Sequence, residues 1–249
     1  MPKVKICGIQ RLEDALAAAQ AGADYIGLVF VPQRRRRLSI EAAQILVQGL
    51  QQADSKVPQV VGLFAGQPLE EVNHTIQECG LDLAQLCGAE PVEYCQQVVV
   101  PVMKVVHVGN VSGAAEIPPN PPLPKRGRIV PPFLKGGAGG ISDLETRLHQ
   151  YRQAGCLVTL DRLVEGLQGG TGQSFDWSIA AALAQRGHQF LLAGGLTPEN
   201  VAQAVAQVQP WGVDVSSGVE TGGVKDPRKI REFIRNAQKS LHSPFTKGG

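Results

Sequence analysis

Short apolar runs alternate along this chain with longer stretches whose apolar residues recur at helical spacing. The runs fall at 4–7, 25–30, 60–64, 83–87, 102–108, 157–161, 190–194 and 213–217, which makes eight candidate strands. They are nearly continuous in apolar residues, as expected of strands covered on both faces. Between most of them lie helical segments with start signals: 40–53 behind Ser39, 69–79 behind Pro68, 199–208 behind Thr197-Pro198 and 228–241 behind Asp226-Pro227. A hydroxyl or carboxylate before the first turn satisfies orphan N–H groups, and proline suits the first helical position. Strand and helix in alternation predict a parallel sheet. Eight such units in 249 residues fit a (β/α)8 TIM barrel of the α/β class better than an open doubly wound sheet. The open sheet is further weakened because no G-x-G-x-x-G follows the first run.

One stretch breaks the rhythm. Residues 109–141 hold seven prolines and seven glycines, including Pro118-Pro119-Asn120-Pro121-Pro122, with no usable apolar period. It is expected to be a flexible insertion in the loop after the fifth strand, on the C-terminal side of the barrel; a polyproline segment for a partner is the alternative. Its piece Pro132-Phe133-Leu134-Lys135-Gly136-Gly137 is echoed by Pro244-Phe245-Thr246-Lys247-Gly248-Gly249. The expected organisation is therefore one barrel domain over 1–242, interrupted at about 109–141, with 243–249 a disordered tail.

Composition narrows the classes. Hydrophobic residues make up 43% and charged residues 18%, enough to bury a sizeable core and unlike a disordered chain. No run of about 18 apolar residues occurs, and Met1-Pro2-Lys3-Val4-Lys5 lacks the apolar stretch of an export signal. A cytoplasmic protein with no membrane partner is expected. The net charge of +2 does not by itself imply nucleic acid, although Arg34, Arg35, Arg36 and Arg37 form a local cationic knot. Five cysteines, an odd number without a CxxC pair, are expected to be reduced. Cys79, Cys87 and Cys95 recur every eight residues, a spacing wider than structural zinc sites use, so buried thiols rather than metal ligands are expected.

In a barrel of this kind the working groups sit where strands end. Here the ends are polar: Lys5-Ile6-Cys7-Gly8, Thr159-Leu160-Asp161, Ala193-Gly194-Gly195 and Asp214-Val215-Ser216-Ser217-Gly218. One thiol, one carboxylate and two small-residue turns would thus surround one mouth. Gly194 and Gly195 lead into a helix, and Ser216, Ser217 and Gly218 follow the last strand. Both turns can aim free backbone N–H groups at one anion, which predicts a phosphate cradle. A third turn, Gly169-Gly170-Thr171-Gly172, either closes over the same ligand or simply precedes a helix starting near Phe175-Asp176-Trp177.

The ordered series Lys5-Ile6-Cys7-Gly8, Val61-Gly62-Leu63-Phe64, Leu81-Asp82-Leu83-Ala84-Gln85-Leu86, Gly169-Gly170-Thr171-Gly172 with Phe175-Asp176-Trp177, then 193–201, and Val213-Asp214-Val215-Ser216-Ser217-Gly218-Val219-Glu220 resembles the phosphoribosylanthranilate isomerases of tryptophan biosynthesis. The resemblance covers nearly the whole chain outside the insertion. It implies an Amadori rearrangement of N-(5-phosphoribosyl)anthranilate to 1-(o-carboxyphenylamino)-1-deoxyribulose 5-phosphate, with no metal or organic cofactor. It also implies a small phosphosugar-anthranilate substrate as the partner, no nucleic acid, and a monomer or homodimer. Asp161 matches the family's general acid, which must be held partly protonated, so its pKa is expected to be raised. Cys7 matches the general base, and nearby positive charge is expected to favour its thiolate. Arg36 aligns with the arginine expected at the anthranilate carboxylate. Substrate contacts are expected at Arg36, Gly170, Gly194, Gly195, Asp214, Ser216, Ser217 and Gly218.

Two departures stand out. The family's usual Ser-Pro-Arg is here Arg34-Arg35-Arg36, which leaves open the arginine that faces the ligand, with a solvated face expected for at least two of the four. Where the family commonly has Gln-Leu-His-Gly, this chain has Gln85-Leu86-Cys87-Gly88, so no imidazole contact and an inert Cys87 are expected. Alternative readings are another phosphosugar barrel enzyme, such as indole-glycerol-phosphate synthase, kept open by the inward parity of Lys5, or a non-catalytic phosphate-binding module. RNA binding is disfavoured because no aromatic stripe accompanies the arginines.

Overall fold

A computed structural model of the chain describes residues 1–53, 56–108, 141–162 and 177–239. The insertion before residue 141, the turn containing Gly170 and the expected tail lie outside the described residues. Eight parallel strands close into a barrel in chain order. They are β1 (Lys3–Cys7), β2 (Tyr25–Val29), β3 (Gln59–Phe64), β4 (Leu83–Leu86), β5 (Val102–Val108), β6 (Leu157–Arg162), β7 (Leu191–Leu192) and β8 (Gly212–Val215). Closure is made by β8 pairing with β1, which sets Lys5 opposite Asp214. The helices between them are α1 (Leu12–Gln20), α2 (Ile40–Gln51), α3 (Leu69–Cys79), the single turn α4 (Val92–Cys95), α5 (Ile141–Gln153), α6 (Trp177–Gln185), α7 (Val201–Val208) and α8 (Pro227–Lys239).

Because side chains alternate across a strand, each strand feeds two cores. One set, including Val4, Ile6, Ile26, Leu28, Phe64 and Leu160, packs outward against the helices. The other set, Tyr25, Val61, Leu63, Leu83, Met103 and Leu191, fills the barrel interior. Each buried Leu or Val is worth about 1.5–3 kcal/mol relative to exposure, which is why the strands read as continuous apolar runs. Inward parity is carried further along the strands by Lys5, Gln85, Thr159 and Asp214, all buried, and beyond these the strands open on the mouth.

Local signals set several boundaries as expected. The Ser39 hydroxyl accepts a hydrogen bond from the Ala42 N–H at 3.2 Å and starts α2. Helix α3 runs from Leu69 to Cys79 and ends on Gly80, which takes the left-handed conformation at φ 61. The Asp226 carboxylate accepts from the Arg228 N–H at 2.9 Å at the entry to α8. Helix α7 starts later than its sequence signals suggest. Asn200 Oδ1 accepts from the Thr197 N–H at 2.8 Å and Asn200 Nδ2 donates to the Gly195 carbonyl at 3.0 Å. That turn consumes the residues that looked like a helix cap. Strand β7 stops early because Gly194 and Gly195 take φ of 88 and 73 and lead the chain off the sheet.

One element was not foreseen. After a short 3-10 turn (Ser217–Val219), β9 (Glu220–Thr221) and β10 (Val224–Lys225) form a two-stranded hairpin. Gly222 and Gly223 between them both have positive φ, as the tight turn that matches strand twist requires.

Candidate active site

Cys7 ends β1, points into the barrel mouth and is 7% exposed. The strand can end there because Gly8 takes φ 76 and its N–H donates to the Gly27 carbonyl at 2.9 Å. Gly27 lies next to the thiol, where an added Cβ would come within 3.1 Å of Cys7 Sγ. Below Cys7, Lys5 Nζ donates to both carboxylate oxygens of Asp214 at 3.1 and 3.0 Å. Burial by itself would lower the Lys5 ammonium pKa, but the Asp214 carboxylate and Cys7 more than offset it and the net shift is upward.

The Cys7 thiol departs from expectation. Burial pushes its pKa up, Lys5 pulls it down, Asp214 pushes it up again and Lys225 pulls it down; the net direction is upward. The positive charge is present, but Lys5 is already neutralised by Asp214, so it cannot overcome desolvation.

The cationic knot divides in two. Arg34, Arg35 and Arg37 are exposed and Arg36 is half-buried, and Arg35 and Arg36 both pair with Glu220. Arg36 Nε donates to Glu220 Oε1 at 2.6 Å, leaving the terminal end of its guanidinium fork outside that contact. Arg35 donates to Glu220 Oε2 at 2.7 Å and also to the Gly223 carbonyl. Lys225, cross-strand from Glu220 in the hairpin, donates to Glu220 at 3.1 Å and to the Ser216 carbonyl at 2.8 Å. Burial works to raise the Glu220 carboxyl pKa, yet Arg36, Lys225 and Arg35 hold it down at about 2. Gly8 makes this arrangement possible, since a Cβ there would lie 2.5 Å from Arg36 Cδ.

The two turns expected to form a cradle lie side by side. Gly194 and Gly195 follow β7, Ser217 and Gly218 follow β8, and among the described residues their N–H groups make no hydrogen bond. The two turns touch: a Cβ on Gly218 would overlap the Leu196 carbonyl oxygen at 1.9 Å. Ser216 Oγ donates to the Cys7 carbonyl at 3.1 Å, tying the β8 turn to the end of β1. Asp214, expected at the ligand, accepts from Lys5 directly beside it across the β8–β1 register. Gly170 lies outside the described residues.

On the far side of the mouth, Asp161 near the end of β6 is half-buried. The register of β5 on β6 places His107 directly beside it. Cys87, just past β4, is driven up to about 12 by burial, only partly offset by the amide of Gln85, and also feels Cys7, Lys5 and Asp161. A thiol held there carries little thiolate near neutral pH. An imidazole does lie close by, brought in from the next strand: His107 Nε2 is 3.4 Å from the Cys87 carbonyl oxygen. Sequence reading also missed Lys5, Glu220 and Lys225 as supports of the mouth; the Gly222-Gly223 pair was the one local signal for the hairpin that carries the last two. Around the rim, Lys104 Nζ pairs with Glu90 at 2.7 Å, and Glu90 accepts from the N–H groups of Gly66 and Gly88, bracing the turns after β3 and β4.

A closed parallel barrel with acid, thiol and glycine-bearing turns gathered at the strand C-termini defines a (β/α)8-barrel enzyme. The chain matches the family described as N-(5'phosphoribosyl)anthranilate (PRA) isomerase over residues 4–118 and 141–236, and it belongs to that family. An N-(5'-phosphoribosyl)anthranilate isomerase from Trichlorobacter lovleyi is 42% identical over 242 residues, covering 97% of this chain and all of the relative. A crystal structure of phosphoribosyl anthranilate isomerase from Thermotoga maritima superimposes with a TM-score of 0.73 at 33% identity, covering 96% of this chain and 99% of that one. Another, in complex with reduced 1-(o-carboxyphenylamino)-1-deoxyribulose 5-phosphate, gives a TM-score of 0.70 at 33% identity, with 96% and 99% covered.

Proposed function

We propose that Asp161 is the general acid and Cys7 the general base of the isomerisation of N-(5-phosphoribosyl)anthranilate. The observation that carries this reading is the convergence of Cys7 and Asp161 on one mouth, with Arg36 and the two glycine-bearing turns around it. The Asp161 carboxyl protonates the furanose oxygen as the bond from that oxygen to C1' breaks and the anilino nitrogen becomes an iminium. The cation acidifies C2'–H. The Cys7 thiolate takes that proton, the electron pair moves into the C1'–C2' bond and neutralises the nitrogen, and the enol tautomerises to the ketose. Because burial raises the Cys7 pKa, the iminium two atoms away from the abstracted proton's carbon supplies the positive charge that favours the thiolate when it is needed.

Arg36 is proposed to meet the anthranilate carboxylate end-on through its terminal nitrogens, since Glu220 occupies Nε. The phosphate is held on the N–H groups of Gly194, Gly195, Ser217 and Gly218, with Ser216 bracing their turn and Gly170 a further proposed contact. Asp214 is a further proposed substrate contact, its carboxylate held in place by Lys5. The family match stops at residue 118 and resumes at 141, which supports reading the intervening proline- and glycine-rich stretch as an insertion in one barrel domain. A relative from Thermotoga maritima is described as a dimeric phosphoribosylanthranilate isomerase with generated monomers; monomer or homodimer is the proposal here, read by sedimentation.

The test is turnover of freshly prepared phosphoribosylanthranilate by the full chain beside Cys7→Ala and Asp161→Asn. Each substitution is expected to lower kcat by about 10²–10⁴-fold with melting temperature little changed. A folded Asp161→Asn protein with wild-type kcat would remove the acid from this assignment.

A further inference from the structure

We propose that His107 is a substrate-binding residue of this site, its Nδ1 accepting a hydrogen bond from a sugar hydroxyl next to Asp161. The inference rests on the isomerase reading above. His107 shares the inward parity of Met103 on β5, and its Cα lies opposite that of Asp161 on β6. Its Nε2 faces the Cys87 carbonyl oxygen at 3.4 Å. A carbonyl can only accept, so that contact selects the tautomer with the proton on Nε2 and leaves Nδ1 with a bare lone pair. Nδ1 is buried and, among the described residues, has no hydrogen-bond partner. Buried polar atoms are rarely left in this state without a reason, and at the rim of a binding mouth the reason is a ligand.

The chemistry of the lone pair selects the part of the substrate it takes. An acceptor repels carboxylate and phosphate, and those ends are placed with Arg36 on the β1–β2 side and with the turns after β7 and β8. What remains beside Asp161 is the sugar, whose hydroxyls are donors. His107 therefore holds the ribose carbons against the acid while Cys7 works from the other side. It also discriminates, since an analogue without that hydroxyl leaves the lone pair unsatisfied.

The experiment uses the full-length protein, with the phosphosugar substrate for kinetics and the reduced 1-(o-carboxyphenylamino)-1-deoxyribulose 5-phosphate as binding probe. His107→Ala is expected to lower kcat/KM by about 10–100-fold. His107→Asn, which offers an oxygen near the position of Nδ1, is expected to recover most of it, and the exposed His149→Ala is the unchanged control. In wild-type protein labelled with 15N at histidine, the unprotonated Nδ1 signal is expected to shift as the reduced ligand saturates the site. A folded His107→Ala protein with kcat/KM within twofold of wild type, or an Nδ1 signal indifferent to bound ligand, overturns the proposal. If His107→Ala fails to fold, the Asn variant and the wild-type titration still decide. Loss of the isomerase reading itself is separate, because it appears as absence of turnover in the unmodified protein.

Discussion

At the scale of single residues, Cys7 shows how a charge close by can fail to set a pKa. Lys5 lies beneath it, but its ammonium is spent on the Asp214 carboxylate at 3.0 Å, and desolvation of the thiol dominates. The sign follows directly: a raised thiol pKa means less thiolate at neutral pH than an exposed cysteine has, and reactivity that keeps rising at alkaline pH. Alkylation of Cys7 by iodoacetamide, followed by peptide mapping, is expected to show a midpoint above the ordinary value of 9.0. A midpoint below about 8 would contradict it. The Cys7–Asp161 pair, strand-end residues of the right types, was legible in the sequence. His107 was not, because a histidine inside an apolar run carries no mark of its neighbours, and only the β5–β6 register sets it beside Asp161.

At the scale of elements, the two turns after β7 and β8 act as one body. Gly218 is needed there because the Leu196 carbonyl occupies the space of a side chain, and the glycines at 194 and 195 are needed for their positive φ. Gly218→Ala is expected to push the turns apart, raising KM at least about tenfold while kcat falls less, since the proposed phosphate site is remote from the reacting carbons. Steady-state kinetics separate the two; a fall in kcat at unchanged KM would place Gly218 outside phosphate binding. The Ser39 and Gly80 ends of α2 and α3 came from local signals that nothing tertiary contradicted. The start of α7 did not, because Asn200 is used instead to close the turn from Gly195 to Thr197.

At the scale of the molecule, the mouth is stitched by charges that come from opposite ends of the chain. Glu220 gathers Arg35 and Arg36 from the loop after β2 and Lys225 from the hairpin, and its pKa is held at about 2 against an ordinary 4.5. A depressed carboxylate pKa stabilises the fold above the ordinary value, and that stabilisation is lost as pH falls from about 4.5 to about 2. At neutral pH it is worth up to about 3 kcal/mol. Glu220→Gln is therefore expected to lower the urea midpoint at pH 7, and the gap from wild type is expected to narrow as the pH drops through that window. A gap that stays constant with pH would mean that the carboxylate charge is not what stabilises the mouth.

The sequence by itself determined the alternation of strand and helix, the apolar strand cores, the break at the proline- and glycine-rich stretch, the polar strand ends and the kinship. All of these are local: they depend on composition and on periods of two or three to four residues. Tertiary structure alone decided which strand ends meet. The Lys5–Asp214 pair joins residues 209 apart, Arg36 reaches Glu220 across 184, and His107 finds Asp161 through a ladder of the barrel. Such contacts are set by the register in which eight strands close, and a shift of one residue in any of them would turn its inward side chains out.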